Sequence, residues 1–330
     1  MNERASPLEP APGPQPARRP VILLMGPTAA GKTDLALSLA ERFPVEIVSV
    51  DSAMVYRGLD IGTGKPDAAT LQQFPHHLVD ILDPAQAYSA GQFVRDARNV
   101  IDAVHGRGRI PLLVGGTMLY FRALRGGLAD LPEADPATRA QIDAQGAQRG
   151  WPALHAELAA IDARAAARIQ PNDAQRIQRA LEVFRITGRT LSELHAAAAP
   201  PPDDLTFASY AWVPGDRERL YAAIALRFEK MLECGLLQEV RRLHARGDLH
   251  ERLPSIRSVG YRQLWQHLAA EVPLATAVAN AILATRHLAR RQLVWLRADR
   301  EIKWMDALDS AARAQMQRSV ADICSEHARE

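Results

Sequence analysis

The stretch VILLMGPTAAGKTDLALSLA, residues 21–40, decides the fold. An apolar run, Val21 to Met25, meets Gly26, and the octet Gly26, Pro27, Thr28, Ala29, Ala30, Gly31, Lys32, Thr33 leads into helical text from Asp34 to Arg42. This order predicts a buried strand, a tight turn and a helix. The turn is built to hold an anion. Its glycines let successive N–H groups point at one centre, the helix N-terminus adds partial positive charge, and Lys32 adds a full one. The Thr33 hydroxyl suits a magnesium ion, and the Gly-x4-Gly-Lys-Thr spacing is complete in its expected strand-turn-helix setting. Whether the anion is fuel or a leaving group is a question the loop alone leaves open.

Outward from the loop, VEIVSVDS (residues 45–52) reads as a second strand, and RIPLLVGGT (109–117) as a third, after a helix near Phe93 to Val104. Alternating strands and helices predict an α/β fold, a P-loop NTPase-like parallel sheet with helices on both faces. From about Gly127 the text turns to Ala, Arg, Glu and Gln, and no strand is expected until TFASYAWVP at 206–214. A helical insertion domain over 127–200 follows from this, with helix starts at Asp135-Pro136 and Asn172-Asp173. AAAAPPPDD (196–204) reads as a linker, and the remainder as helices at Arg217 to Glu233, Leu236 to Arg246, Tyr261 to Leu268 and Val278 to Arg297. The expected organisation is a disordered Pro-rich tail over 1–19, a discontinuous core over 20–126 and 201–330, and the insertion between.

Composition excludes some classes. No apolar run reaches the roughly 18 to 20 residues of a membrane span, so no membrane role is expected. Two cysteines, Cys234 and Cys324, with no CxxC spacing indicate neither a disulfide framework nor structural zinc, and a reducing cytoplasm fits. The ten histidines form no ligand constellation; His76 and His77 are adjacent, and neighbours in a strand point apart. A net charge of +2 neither demands nor excludes nucleic acid. The arginines are nonetheless clustered, at 163–190 and 284–300.

A complete phosphate loop first suggests an ATPase or small-molecule kinase. Such proteins usually carry an apolar strand ending in an Asp that serves magnesium, yet IPLLV is followed by Gly115, Gly116 and Thr117. The strand that does end in a carboxylate is VEIVSV, with Asp51. This residue suits a magnesium ligand, or a base for a nucleophile brought to the phosphate-bearing carbon.

Seven blocks, GPTAAGKT, VSVDSAMVYRGLDIGTGKP, HHLVDILDPAQAYSAGQF, LLVGGTMLYFRAL, NDAQRIQRALEV, LPSIRSVGYRQLW and TRHLARRQLVWLR, stand in one order across about residues 20–300. In order and spacing the chain resembles the bacterial tRNA dimethylallyltransferases, also called tRNA isopentenyltransferases. The resemblance implies transfer of a dimethylallyl group from dimethylallyl diphosphate to N6 of the adenosine 3′ of the anticodon, with Mg2+ and release of diphosphate. The anion in the loop is then a leaving group. Adenylate isopentenyltransferases, which share the loop and the Asp strand, are the alternative, along with the small-molecule kinase. An RNA-binding protein with a vestigial loop is a third reading, opposed by the intact Lys32, Thr33 and Asp51. Departures from the family pattern are Ala30 for Ser and Met54 for Gln or Leu.

Carried onto this chain, the resemblance implies that residues 26–33 bind the diphosphate, with Thr28, Lys32 and Arg227 stabilising its growing charge. An aromatic amine is a poor nucleophile, so a base that takes its N6 proton is useful, and Asp51 is the candidate. The implied tRNA contacts are Asp51, Ser52, Ala53, Met54, Thr117, Arg139, the run Gln175, Arg176, Ile177, Gln178, Arg179, and the run Ile256, Arg257, Ser258, Val259, Gly260, Tyr261. In the first run Ile177, Ala180, Leu181 and Phe184 recur at helical spacing and face inward, leaving Gln175 and Arg179 outside. Without the resemblance, a solvated helix face is the plainer reading. In the second, Arg257 suits phosphate or a base edge, and Tyr261 suits stacking. Arg286, Arg290 and Arg297 share a helix face whose role stays open between RNA, diphosphate and solvent. A monomer gripping an A-rich tRNA anticodon stem-loop is the implied assembly.

Overall fold

The computed structural model describes residues 18–198 and 200–329. The tail expected over 1–19 lies outside them except for its last two residues, which are structured. Arg18 pairs with Asp203, and Arg19 opens the first strand, bonding Asp102 and Asp204 at 2.8 Å each. The strands are β1 (Arg19–Met25), β2 (Val45–Val50), β3 (His76–His77), β4 (Ile110–Gly115), β5 (Leu205–Val213) and β6 (Lys303–Asp306). They form one parallel sheet in the order β3-β2-β4-β1-β5-β6. The α/β reading holds, and the expectation that the chain is only helical after β5 is corrected by β6. That strand is short, lies at the sheet edge and buries only Met305, so it carries no alternating pattern to read.

Val21 to Leu24 in β1 are fully buried, as expected for a strand covered on both faces. Ile22, Leu24, Leu35, Leu39, Ile47 and Leu112 join one core cluster with Met305, Met316 and Val320, so the C-terminal helix Ser310–His327 packs where the first helix, Lys32–Ala40, does. The long helix Leu274–Ala298 begins four residues before the expected Val278. It follows Pro273 with no side-chain cap, so no start signal precedes it.

Residues divide into two compact units, Ala123–Pro201 and the rest. Within the smaller unit, Asp135 accepts from the Thr138 N–H and Asp173 from the Arg176 N–H, and each starts a helix, Pro136–Arg149 and Ala174–Thr187. Ile142, Leu154, Leu158, Ile177 and Leu181 form its core. Ile177 is therefore fully buried. The expectation that it touches RNA is corrected: a β-branched side chain on the inward stripe of an amphipathic helix packs.

Candidate functional site

The sheet order places the carboxyl ends of β2, β4 and β1 side by side, the edge at which parallel sheets present ligand-binding loops. The loop after β1 is the glycine-bounded turn. A Cβ at Gly26 would collide with the Trp212 carbonyl of β5, so only glycine admits that approach. Ala29 and Gly31 take positive φ, +62° and +78°, which turns the chain into the Lys32–Ala40 helix. The Lys32 ammonium is turned inward and donates to the Pro27 carbonyl at 2.7 Å. Loss of hydration and then the nearby Arg227 charge push its pKa down to about 7, against the opposing pull of Asp51.

Arg227 reaches this loop from the helix Arg217–Glu233, and desolvation lowers its pKa too. Its guanidinium donates to the Thr63 carbonyl at 3.3 Å and fills the space where a Cβ at Gly64 would sit. Residues 60–62 of that segment are pinned by one buried carboxylate. Glu239 accepts from the N–H groups of Asp60 (3.1 Å), Ile61 (2.9 Å) and Gly62 (3.2 Å), and from the Tyr261 hydroxyl at 2.5 Å. Tyr261 is fully buried, so the expected stacking on a base is corrected: its ring packs in the core and its hydroxyl holds Glu239. Ile256 is also fully buried in that cluster, which corrects its expected RNA contact.

Asp51 follows β2. Its Oδ1 accepts from the N–H groups of Ala53 (2.8 Å) and Met54 (3.3 Å), and among the described residues no hydrogen bond reaches its other oxygen. Thr117, after β4, accepts from the Ser52 N–H at 3.1 Å, while its own N–H donates to the Val50 carbonyl at 3.2 Å. The glycines that displaced the expected strand-end Asp have a steric reason. A Cβ at Gly115 would strike the Val50 carbonyl, and one at Gly116 would strike the side chain of Gln292.

A cavity of about 460 Å³ opens over these ends. Asp51, Ser52, Ala53 and Thr117 line one side, and Arg257, Ser258 and Val259 another. A smaller space of about 80 Å³ lies against Lys32, Thr33, Ser49 and Met54. Thr28, Asp51, Thr63, Gly116, Arg227 and Gln292 border both, so a group in one space abuts a group in the other. The helix Leu274–Ala298 turns Thr285, Leu288, Arg291, Gln292 and Trp295 toward the larger cavity. The Arg286, Arg290 and Arg297 face is a different one: Arg286 stacks on Tyr221, 5.3 Å from the ring centroid, and the other two are exposed.

The residues present fit a magnesium ion. The Thr33 hydroxyl and the Asp51 carboxylate both border the smaller space, a sparse hard-oxygen set of the kind Mg2+ accepts when it keeps water and takes phosphate oxygens. Among the described residues no cluster of three His, Cys, Asp or Glu side chains could hold a metal by itself.

In the helical unit, Glu182 is fully buried. Arg139 meets it through two bonds, 2.8 and 3.1 Å, and Arg179 through one of 2.6 Å while also donating to the Pro132 carbonyl at 2.7 Å. Both arginines thus brace a carboxylate while their guanidiniums stay partly exposed. Gln175 and Arg176 are the exposed members of the run, and the Gln178 amide donates to Asp143 at 2.5 Å.

Sequence reasoning missed Gln292. Its Oε1 accepts from the Thr28 N–H at 3.0 Å and its Nε2 donates to the Gly116 carbonyl at 2.9 Å. The available signal was Gly115-Gly116, a pair of glycines at a strand end that marks close approach by another element.

A family model described as IPP transferase matches residues 54–299, and one described as isopentenyl transferase matches 19–80. The tRNA dimethylallyltransferase of Bordetella petrii is 54% identical over 93% of this chain and 98% of its own. The crystal structure of full-length tRNA isopentenylpyrophosphate transferase from Bacillus halodurans aligns with TM-score 0.68 and 34% identity, over 95% of this chain and 99% of that one. A eukaryotic dimethylallyltransferase acting on tRNA aligns with TM-score 0.76 and 25% identity, over 92% of this chain and 78% of that one.

Proposed function

The chain belongs to the IPP transferase family, a tRNA prenyltransferase by its relatives, and from that membership we propose how its own residues carry out the reaction. It transfers a dimethylallyl group from dimethylallyl diphosphate to N6 of the adenosine 3′ of the anticodon, releasing diphosphate. One observation carries the donor half. Lys32 and Arg227 are desolvated cations that both border the smaller space beside the loop, and among the described residues neither bonds a carboxylate. The Arg227 charge adds to burial in pushing the Lys32 pKa down, and an anion bound beside both removes that cost.

The diphosphate occupies the smaller space, where Lys32, Arg227, the Thr28 hydroxyl and the loop N–H groups meet the charge that grows as the C–O bond breaks. Thr33 and Asp51 border the place of a Mg2+ ion, which neutralises part of the same charge when bound. The target adenine enters the larger cavity, which requires that it leave the stack of the anticodon loop. Asp51 borders both spaces, so its carboxylate takes the N6 proton as the C–N bond forms. Its Oδ1 is held by two backbone N–H groups, which leaves the other oxygen for that proton. Arg257 and Thr117 serve the RNA around the base, and Gln175 and Arg176 are the contacts of the helical unit with the stem-loop. The enzyme works as a monomer in a reducing cytoplasm; no helix among the described residues is long and apolar enough to cross a membrane.

The test offers radiolabelled dimethylallyl diphosphate and magnesium to an unmodified tRNA with an A-rich anticodon loop and, separately, to AMP. Label in tRNA and none in AMP is the expected result. Label in AMP moves the substrate to free nucleotides, and label in neither removes the reading.

A further inference from the structure

We propose that Gln292 is a positioning residue for group transfer, bridging the peptide that parks Lys32 and the peptide that holds the Asp51 end of the sheet. The inference rests on the functional reading above. Its observation is the pair of bonds made by one amide, from the Thr28 N–H at 3.0 Å and to the Gly116 carbonyl at 2.9 Å.

The Thr28 N–H belongs to the same planar peptide as the Pro27 carbonyl, and that carbonyl accepts the Lys32 ammonium at 2.7 Å. Rotating the plane would move both partners together. Gln292 therefore sets where the ammonium rests by holding the other edge of the plane. The second contact repeats the device. The Gly116 carbonyl shares its peptide with the Thr117 N–H, which donates to the Val50 carbonyl at 3.2 Å, one residue before Asp51. One side chain thus ties the leaving-group cation to the strand end that carries the base.

Three features mark this bridge as built. Gln292 is 7% exposed, so its amide has little water to fall back on and the two bonds satisfy it. It borders both cavities without carrying a charge that would repel diphosphate. Gly116 admits the amide where any side chain would collide. The bonded partners lie 264 and 176 residues away, so α/β core and late helix are joined at the site.

The test compares Gln292→Met, which keeps volume and removes both bonds, with Gln292→Asn, whose shorter amide cannot span both partners. Wild type is run first in the tRNA assay; no label there overturns the functional reading and, with it, a positioning role in group transfer. With wild type active, both variants are expected to lose about 10- to 100-fold in kcat, the scale of a small misplacement at a reacting centre. Their tRNA Kd should stay within about threefold, and their melting temperatures within a few degrees. Gln292→Met with kcat within twofold of wild type overturns the proposal. So does a variant whose loss tracks only its unfolded fraction, with normal kcat per folded molecule.

Discussion

Lys32 and Arg227 in the core, and Arg139 and Arg179 in the helical unit, are two pairs of cations with opposite circumstances. The first pair faces inward at a loop of N–H groups with no carboxylate bonded to it among the described residues. The second pair encloses a fully buried carboxylate, Glu182. Charge held away from water with no carboxylate bonded to it signals a ligand; charge already matched inside the chain signals a brace. Positive charge is common to both, so only the partner distinguishes them.

Asp51→Asn probes the core side with the largest expected effect. Asn keeps an oxygen for the Ala53 and Met54 N–H groups, so the turn survives while the base is gone. The expected loss in kcat is about 10² to 10⁴-fold with tRNA Kd little changed. A kcat within threefold of wild type removes Asp51 as base and returns it to a magnesium role.

Glu182→Ala probes the other side. It leaves two arginines and the Asp135 N–H without their shared acceptor. Because both guanidiniums are partly exposed and can turn to water, the cost should be about 2 to 3 kcal/mol, below that of a fully buried pair. Urea unfolding of the full chain should show the helical unit melting earlier while diphosphate binding is retained. A shift under about 0.5 kcal/mol would mean that the pair is not a brace.

The Lys32 pKa sharpens the contrast through pH. Its folded value is lowered to about 7 from 10.5, so between these values the unfolded chain binds more protons and stability from this group rises with pH. Diphosphate favours the charged form and reverses the balance. Its affinity should then fall as pH rises above about 7, by at most about tenfold per unit, with proton uptake in calorimetry at pH 8. Lys32→Met should bind weakly and without that slope; an equal slope in the variant would place the titration elsewhere.

The smallest effect concerns the loop backbone. Ala29 at φ +62° carries the left-handed penalty of an L-residue. Ala29→Gly should relieve it, offset by the larger chain entropy of glycine, for a net gain of about 0.5 kcal/mol in the thermal unfolding of the core. A loss would mean that the methyl packing beside Leu220 and Ile224 outweighs the strain.

Elements with a complete local signal were legible. The strand-loop-helix at 21–40, the capped starts at Asp135 and Asp173, and the helix Arg217–Glu233 each follow from spacing or from a capping side chain within four residues. β6 was not, because a four-residue edge strand burying one side chain has no period. The site residues divide the same way. Lys32 and Thr33 are set by their loop. Tyr261, Ile256 and Ile177 are buried, and Arg139 and Arg179 are engaged, for reasons that lie in other segments.

By itself the sequence determined the phosphate loop, the alternation of strands and helices that specifies a parallel α/β sheet, and the carboxylate at the end of β2, because each is read from a pattern of near neighbours in the chain. Which charges stay without a partner was decided only by the tertiary structure. Arg139 finds Glu182 across 43 residues where two helices of the smaller unit pack, and Thr28 finds Gln292 across 264 where the helix Leu274–Ala298 meets the strand-end loops, each pair in water-poor space. There each polar group must find a partner, and no local window contains it.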